Sequence, residues 1–70
     1  IELHELSERL EAFLGTVGTQ ERRIFMARYF YMAQVKNIAA KYGFSESKVK
    51  SMLSRTRKKL KRYLEEEELC

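Results

Sequence analysis

The sequence predicts an all-α fold: a four-helix domain with a C-terminal helix-turn-helix whose second helix is extended. Three observations predict it. There is no proline, and the three glycines stand at positions 15, 18 and 43, so helix breakers are few. Apolar residues recur at three- and four-residue spacing. The middle of the chain carries the register Val35, Ile38, Ala39, Tyr42, Gly43, Phe44, Val49 and Met52. In it, Ile38, Tyr42, Val49 and Met52 face inward from two short helices. Ala39 is small where the helices come close. Gly43 supplies the positive φ of the turn between them.

The elements follow in order. Leu3, Leu6, Leu10, Phe13 and Leu14 form one stripe of a helix over about 2–14, stopped at Gly15. A short loop follows, with Val17 dipping into the core. A second helix begins near Thr19, with Glu21 in the first turn where the helix dipole favours an acid. Ile24, Phe25, Arg28 and Tyr29 carry it to about Phe30. The next boundary has no local signal: Tyr31, Met32 and Ala33 make no turn motif, and Gln34 is a poor N-cap. Only the downstream register argues for a bend there. A third helix spans Gln34 to Tyr42. Phe44 plugs the turn, and Ser45 is a favoured N-cap for a fourth helix running from Glu46 to about Leu64.

Seventy residues make a single domain, which buries only about 60% of its unfolded surface. The sequence begins at Ile1 rather than Met, the mark of a piece of a longer chain or of a processed one. It shows no signal peptide, and no apolar run nears the roughly 20 residues that span a bilayer. The single cysteine, Cys70, cannot form an internal disulfide, which fits a reducing cytosol. Net charge is +4, unevenly spread. Residues 1–20 are acidic through Glu2, Glu5, Glu8 and Glu11. Residues 36–62 hold Lys36, Lys41, Lys48, Lys50, Arg55, Arg57, Lys58, Lys59, Lys61 and Arg62 against Glu46 alone. Basic charge concentrated on the helix-turn-helix is what a polyanion site requires. A solvated lysine face is the plain alternative.

Turning the fourth helix by about 100° per residue sorts its faces. Val49, Met52, Leu53, Thr56, Leu60, Tyr63 and Leu64 form the inner stripe. Ser47, Ser51, Ser54 and Lys58 centre the opposite face. Lys50, Arg57 and Lys61 flank it on one side; Lys48, Arg55 and Arg62 on the other. Short serines let a helix axis approach base edges in a major groove, and long basic side chains on both flanks reach the phosphates. Serine is also a mediocre helix former, so stability alone does not select it here, although each serine could be ordinary solvated surface. RNA fits less well, because Tyr63 is the helix's one aromatic and faces inward. A membrane-lying helix would need its apolar face for lipid, and that face closes the core.

Other chemistry is thin. His4 has glutamates around it but no second soft ligand, so no metal site is expected. Cys70 has no activating neighbour. There is no phosphate-cradling glycine loop and no nucleophile with a base. No enzyme and no cofactor are expected. The run Glu65 to Glu68 has the wrong sign for a helix C-terminus and reads as a fraying tail. A sharper reading has it compete for the basic face when DNA is absent; deletion of residues 65–70 tests that.

The segment ERRIFMARYFY (21–31) and the run VKNIAAKYGFSESKVKSMLSRTRKKLKRYL (35–64) carry a resemblance. They resemble region 4 of bacterial RNA polymerase sigma factors of the sigma-70 family, closest to the small extracytoplasmic-function type. The stretch Val49-Lys50-Ser51-x-Leu53-x-Arg55-x-Arg57 is its most specific part. The resemblance implies recognition of the −35 promoter element by the fourth helix, and docking on the flap of the polymerase β subunit. It assigns Ser47, Lys48, Lys50, Ser51, Ser54 and Arg55 to the DNA-facing set and Lys36 to a backbone contact. It allows an anti-sigma factor as a further partner, and it implies a cytoplasmic, nucleoid-associated protein. Two departures stand out. The family often has a glycine and a Ser, Thr or Asp cap where this chain has Tyr31-Met32-Ala33-Gln34. It often has Gly-Thr where this chain has Ser47-Lys48, so the promoter sequence read does not transfer. These residues hold no counterpart of the promoter-melting region, so they are not expected to start transcription alone.

The leading expectation is a promoter-binding domain, with the helix-turn-helix over about 35–62. Lys50 and Arg55 are expected at or near bases, and Lys58 and Lys59 at phosphates. Two alternatives remain. A dimeric regulator would use Leu53, Leu60 and Leu64 as its seam. A protein-interaction module would bind the polymerase flap through Phe30, Tyr31 and Met32 without reading DNA.

Overall fold

The computed structural model describes residues 3–69, with side chains through position 66. Four helices follow in order: α1 (Leu3–Leu14), α2 (Thr19–Tyr29), α3 (Val35–Tyr42) and α4 (Glu46–Leu69). Packing centres on α4, which contacts each of the other three, while α2 also packs on α3. A helix of 24 residues is about 36 Å long, and α4 accounts for the 39 Å long axis of the molecule.

Two apolar clusters hold the helices. Ile24, Ile38, Ala39, Val49 and Leu53 join α2, α3 and the first half of α4, with Val35, Tyr42, Phe44 and Met52 around them. Phe13, Leu14 and Phe25 join α1 and α2 to the second half of α4 through Leu60 and Tyr63, and Val17 packs here as expected. The Phe13 and Tyr63 rings lie 5.6 Å apart, tilted by 55°. Thr56 is buried on the inner stripe, and its hydroxyl donates to the Met52 carbonyl at 2.9 Å. A buried hydroxyl that bonds within its own helix avoids the cost of an unpaired polar group.

The corner between α3 and α4 follows the sequence reading. Gly43 has φ 72° and ψ 30°, and the Phe44 N–H donates to the Ala39 carbonyl at 2.9 Å, which closes a Schellman turn. Ser45 then caps α4, its Oγ accepting from the Lys48 N–H at 3.0 Å.

The corner between α2 and α3 is built differently. Met32 has φ 59°, alone among the described non-glycine residues in a left-handed backbone. The N–H groups of Phe30 and Tyr31 both donate to the Met26 carbonyl, and that of Ala33 to the Ala27 carbonyl. Arg28 Nη1 reaches the Ala33 carbonyl at 3.4 Å. Gln34 precedes α3 in an extended conformation without a side-chain cap, so the helix starts at Val35 rather than Gln34.

One boundary differs by more than a residue. The fourth helix continues through Leu69 instead of ending near Leu64, so Glu65 and Glu66 form further helix rather than a frayed tail. Glutamate is a good helix former and nothing after Leu64 breaks the helix. That outweighs the unfavourable sign of the charge at this end. The side chains of Glu67 and Glu68, and all of Cys70, lie outside the described residues.

Candidate nucleic-acid interface

Val49 and Leu53 anchor the start of α4 in the first cluster, and Ser45 fixes its first turn. Between these anchors Lys50 and Ser51 turn outward, while Met52 packs against the cluster. Ser47, Lys48, Lys50, Ser51, Arg55 and Lys58 are all exposed, and Lys36 is exposed in the first turn of α3. Among the described residues none of these basic groups forms an ion pair. Lys48 Nζ lies 4.1 Å from the centre of the Phe44 ring, a cation–π distance that draws the ammonium toward the turn.

Three residues deviate from the simple face. Ser54 is half-buried, so the open serine row consists of Ser47 and Ser51. Arg57 is exposed, but its Nη1 donates to the Tyr29 hydroxyl at 2.5 Å, which holds the guanidinium at the end of α2. Lys59 Nζ pairs with Glu21 Oε2 at 3.2 Å. Its charge is therefore partly spent on the first turn of α2, unlike that of neighbouring Lys58.

Two residues near this surface carry roles that the sequence reading does not assign. Arg28 closes the α2–α3 corner, a role open to any basic residue in the last turn of a helix. Tyr29 holds Arg57 across 28 positions of sequence, a pairing no local pattern announces. Beside them Phe30, Tyr31 and Met32 are exposed, the last two by 74% and 79%. Tyr31 borders a shallow groove with Arg23, Met26, Ala27, Lys41 and Tyr42. Of the seam considered for a dimer, Leu53 is only 3% exposed and belongs to the core, whereas Leu60, packed on the second cluster, and Leu64 are half-buried.

At the other end of the chain, His4 Nε2 lies 3.0 Å from Glu8 Oε1, an exposed pair one helical turn apart. The described residues contain no group of three or more His, Cys, Asp or Glu side chains able to hold a metal. No described helix is long and apolar enough to cross a membrane.

A short helix, a glycine turn and a longer helix presenting lysines, arginines and serines define a helix-turn-helix domain of the DNA-binding class. The family model for sigma-70 region 4 matches residues 5–60, and the chain belongs to that family. The match runs from the first turn of α1 to Leu60 in α4, short of Lys61, Arg62 and the glutamates. No curated protein and no solved structure matches the chain. Membership gives the domain the DNA- and polymerase-binding role of a sigma factor in transcription initiation. The family is one of DNA-binding rather than catalytic domains.

Proposed function

We propose that residues 1–70 form a single domain that reads the −35 promoter element through the first half of α4. The observation that carries this reading is the open strip of Ser47 and Ser51 flanked by Lys48, Lys50 and Arg55, which form no ion pair among the described residues, on a helix anchored from beneath by Val49 and Leu53. Lys50 and Arg55 flank the strip on opposite sides and serve base or near-base contacts. Lys36, Lys48 and Lys58 serve phosphates. Ser54, half-buried, contributes less to the approach than its place on the helix face suggests. Such a domain works in the cytoplasm beside the nucleoid.

Selection of bound duplexes from a random pool at moderate salt tests the reading. A lone half-site motif is the expected outcome, and a palindrome would favour a dimeric regulator instead. If about five phosphates are neutralised, log affinity falls against log salt with a slope of about −4.5. A slope near zero removes DNA from the account.

The ridge of Phe30, Tyr31 and Met32 favours a second contact, with RNA polymerase. Exposed aromatics in a row are costly to leave in water and suit a protein partner. The β flap is the partner assigned to it here. Binding of an isolated flap by a chain that ignores DNA at low salt would make the protein contact primary.

A further inference from the structure

We infer that Tyr29 is a positioning residue for DNA binding, acting by holding Arg57 ready for a phosphate. The inference rests on the DNA-binding reading above and names a residue outside α4 that serves it.

The contacts form a relay from core to surface. Phe25 is buried in the second cluster. The Tyr29 ring lies against it, centroids 4.8 Å apart and tilted by 48°, one turn further along α2. The stack aims the hydroxyl at α4, where it accepts from Arg57 Nη1. A guanidinium has five N–H donors, and one suffices for this bond. Arg57 is exposed and, among the described residues, has no carboxylate partner. Its remaining donors stay open to an anion, and its full charge stays available. Lys59 is the contrast, since Glu21 both orders and neutralises it.

The physical gain is pre-organisation. A free arginine loses rotamer freedom when it grips a phosphate. Tyr29 orders the side chain before DNA arrives. A tyrosine hydroxyl can do this without the counter-charge that a carboxylate would bring.

The test uses the full chain with Tyr29→Phe, Arg57→Gln and the double variant. Duplex affinity is measured at several salt concentrations, and Tm is recorded for each protein. Tyr29→Phe keeps the ring stack, so Tm is expected to stay within about 2 °C. Its affinity is expected to fall about threefold to tenfold with an unchanged salt slope, because no charge is lost. Arg57→Gln is expected to reduce the slope by about 0.9. In the double variant Tyr29→Phe is expected to add no further loss, as it acts only through Arg57. Wild-type affinity in Tyr29→Phe, or an unchanged slope in Arg57→Gln, overturns the inference while DNA binding itself stands. A wild-type chain that binds no duplex overturns both.

Discussion

Gly43 and Met32 adopt the same left-handed backbone with opposite local fitness. Gly43 takes φ 72° without a Cβ to strain. Met32 takes φ 59° with its side chain 79% exposed, so no packing offsets the strain. Left-handed backbone costs a non-glycine residue about 1 kcal/mol or more. Gly43→Ala is therefore expected to lower stability by about 1 kcal/mol. Met32→Gly is expected to raise it by about 0.5 kcal/mol, the relief of strain exceeding the extra freedom of the unfolded chain. Thermal unfolding of the two variants should show shifts of opposite sign. The difference also explains what is legible in the sequence. A glycine after an apolar-periodic segment announces its turn. At Met32 the bend is imposed from a distance, by burial of Ile38 and Ala39 against α2 and α4, and no residue at the corner records it.

At the scale of the element, α4 divides into parts with different work. Its start is fixed by Ser45, and Ser45→Ala is expected to cost about 1 kcal/mol in chemical denaturation. Its basic residues separate by their partners. Lys50→Ala should relax discrimination among base-substituted duplexes by about 1–3 kcal/mol if the contact is to a base. Lys58→Ala should weaken all duplexes alike and reduce the salt slope by about 1. Lys59→Ala should do so less, because Glu21 already shares that charge. Competition binding against a set of altered duplexes separates the three. The inner stripe and the basic outer face are legible because helical periodicity alone sorts them. The pull of α2 on Arg57 and Lys59 is not, because it depends on how α2 crosses α4. The end of the helix is misread for a further reason: helix propensity over several glutamates exceeds a dipole effect confined to the last turn.

The whole molecule is two small cores sharing α2 and α4. Neither is large, and a chain of this size has only a few kcal/mol of net stability. Leu53 sits in the first core at 3% exposure. Leu53→Ala is expected to cost about 2–5 kcal/mol, enough to unfold much of the population near body temperature. Circular dichroism against temperature would show it, and a stable Leu53→Ala chain would argue that the helix-turn-helix core is not what holds the domain together.

The extension of α4 through Leu69 has a consequence for the encounter with a polyanion. Glu65 and Glu66 stand on the final turns of a rod about 36 Å long, and Glu5, Glu8 and Glu11 lie on α1, which packs against that same half. The basic groups run from α3 along α4 as far as Arg62, one turn short of these glutamates, with Arg22, Arg23 and Arg28 beside them on α2. Charge is thus separated along the body as well as unbalanced in total, and a charge-separated body in an external field feels a torque. Near DNA the domain is turned basic end first while still a Debye length away, so fewer collisions are wasted in the wrong orientation. Replacing Glu65 and Glu66 with glutamine would raise the net charge yet weaken this alignment. Stopped-flow association rates at low salt would show which effect governs capture.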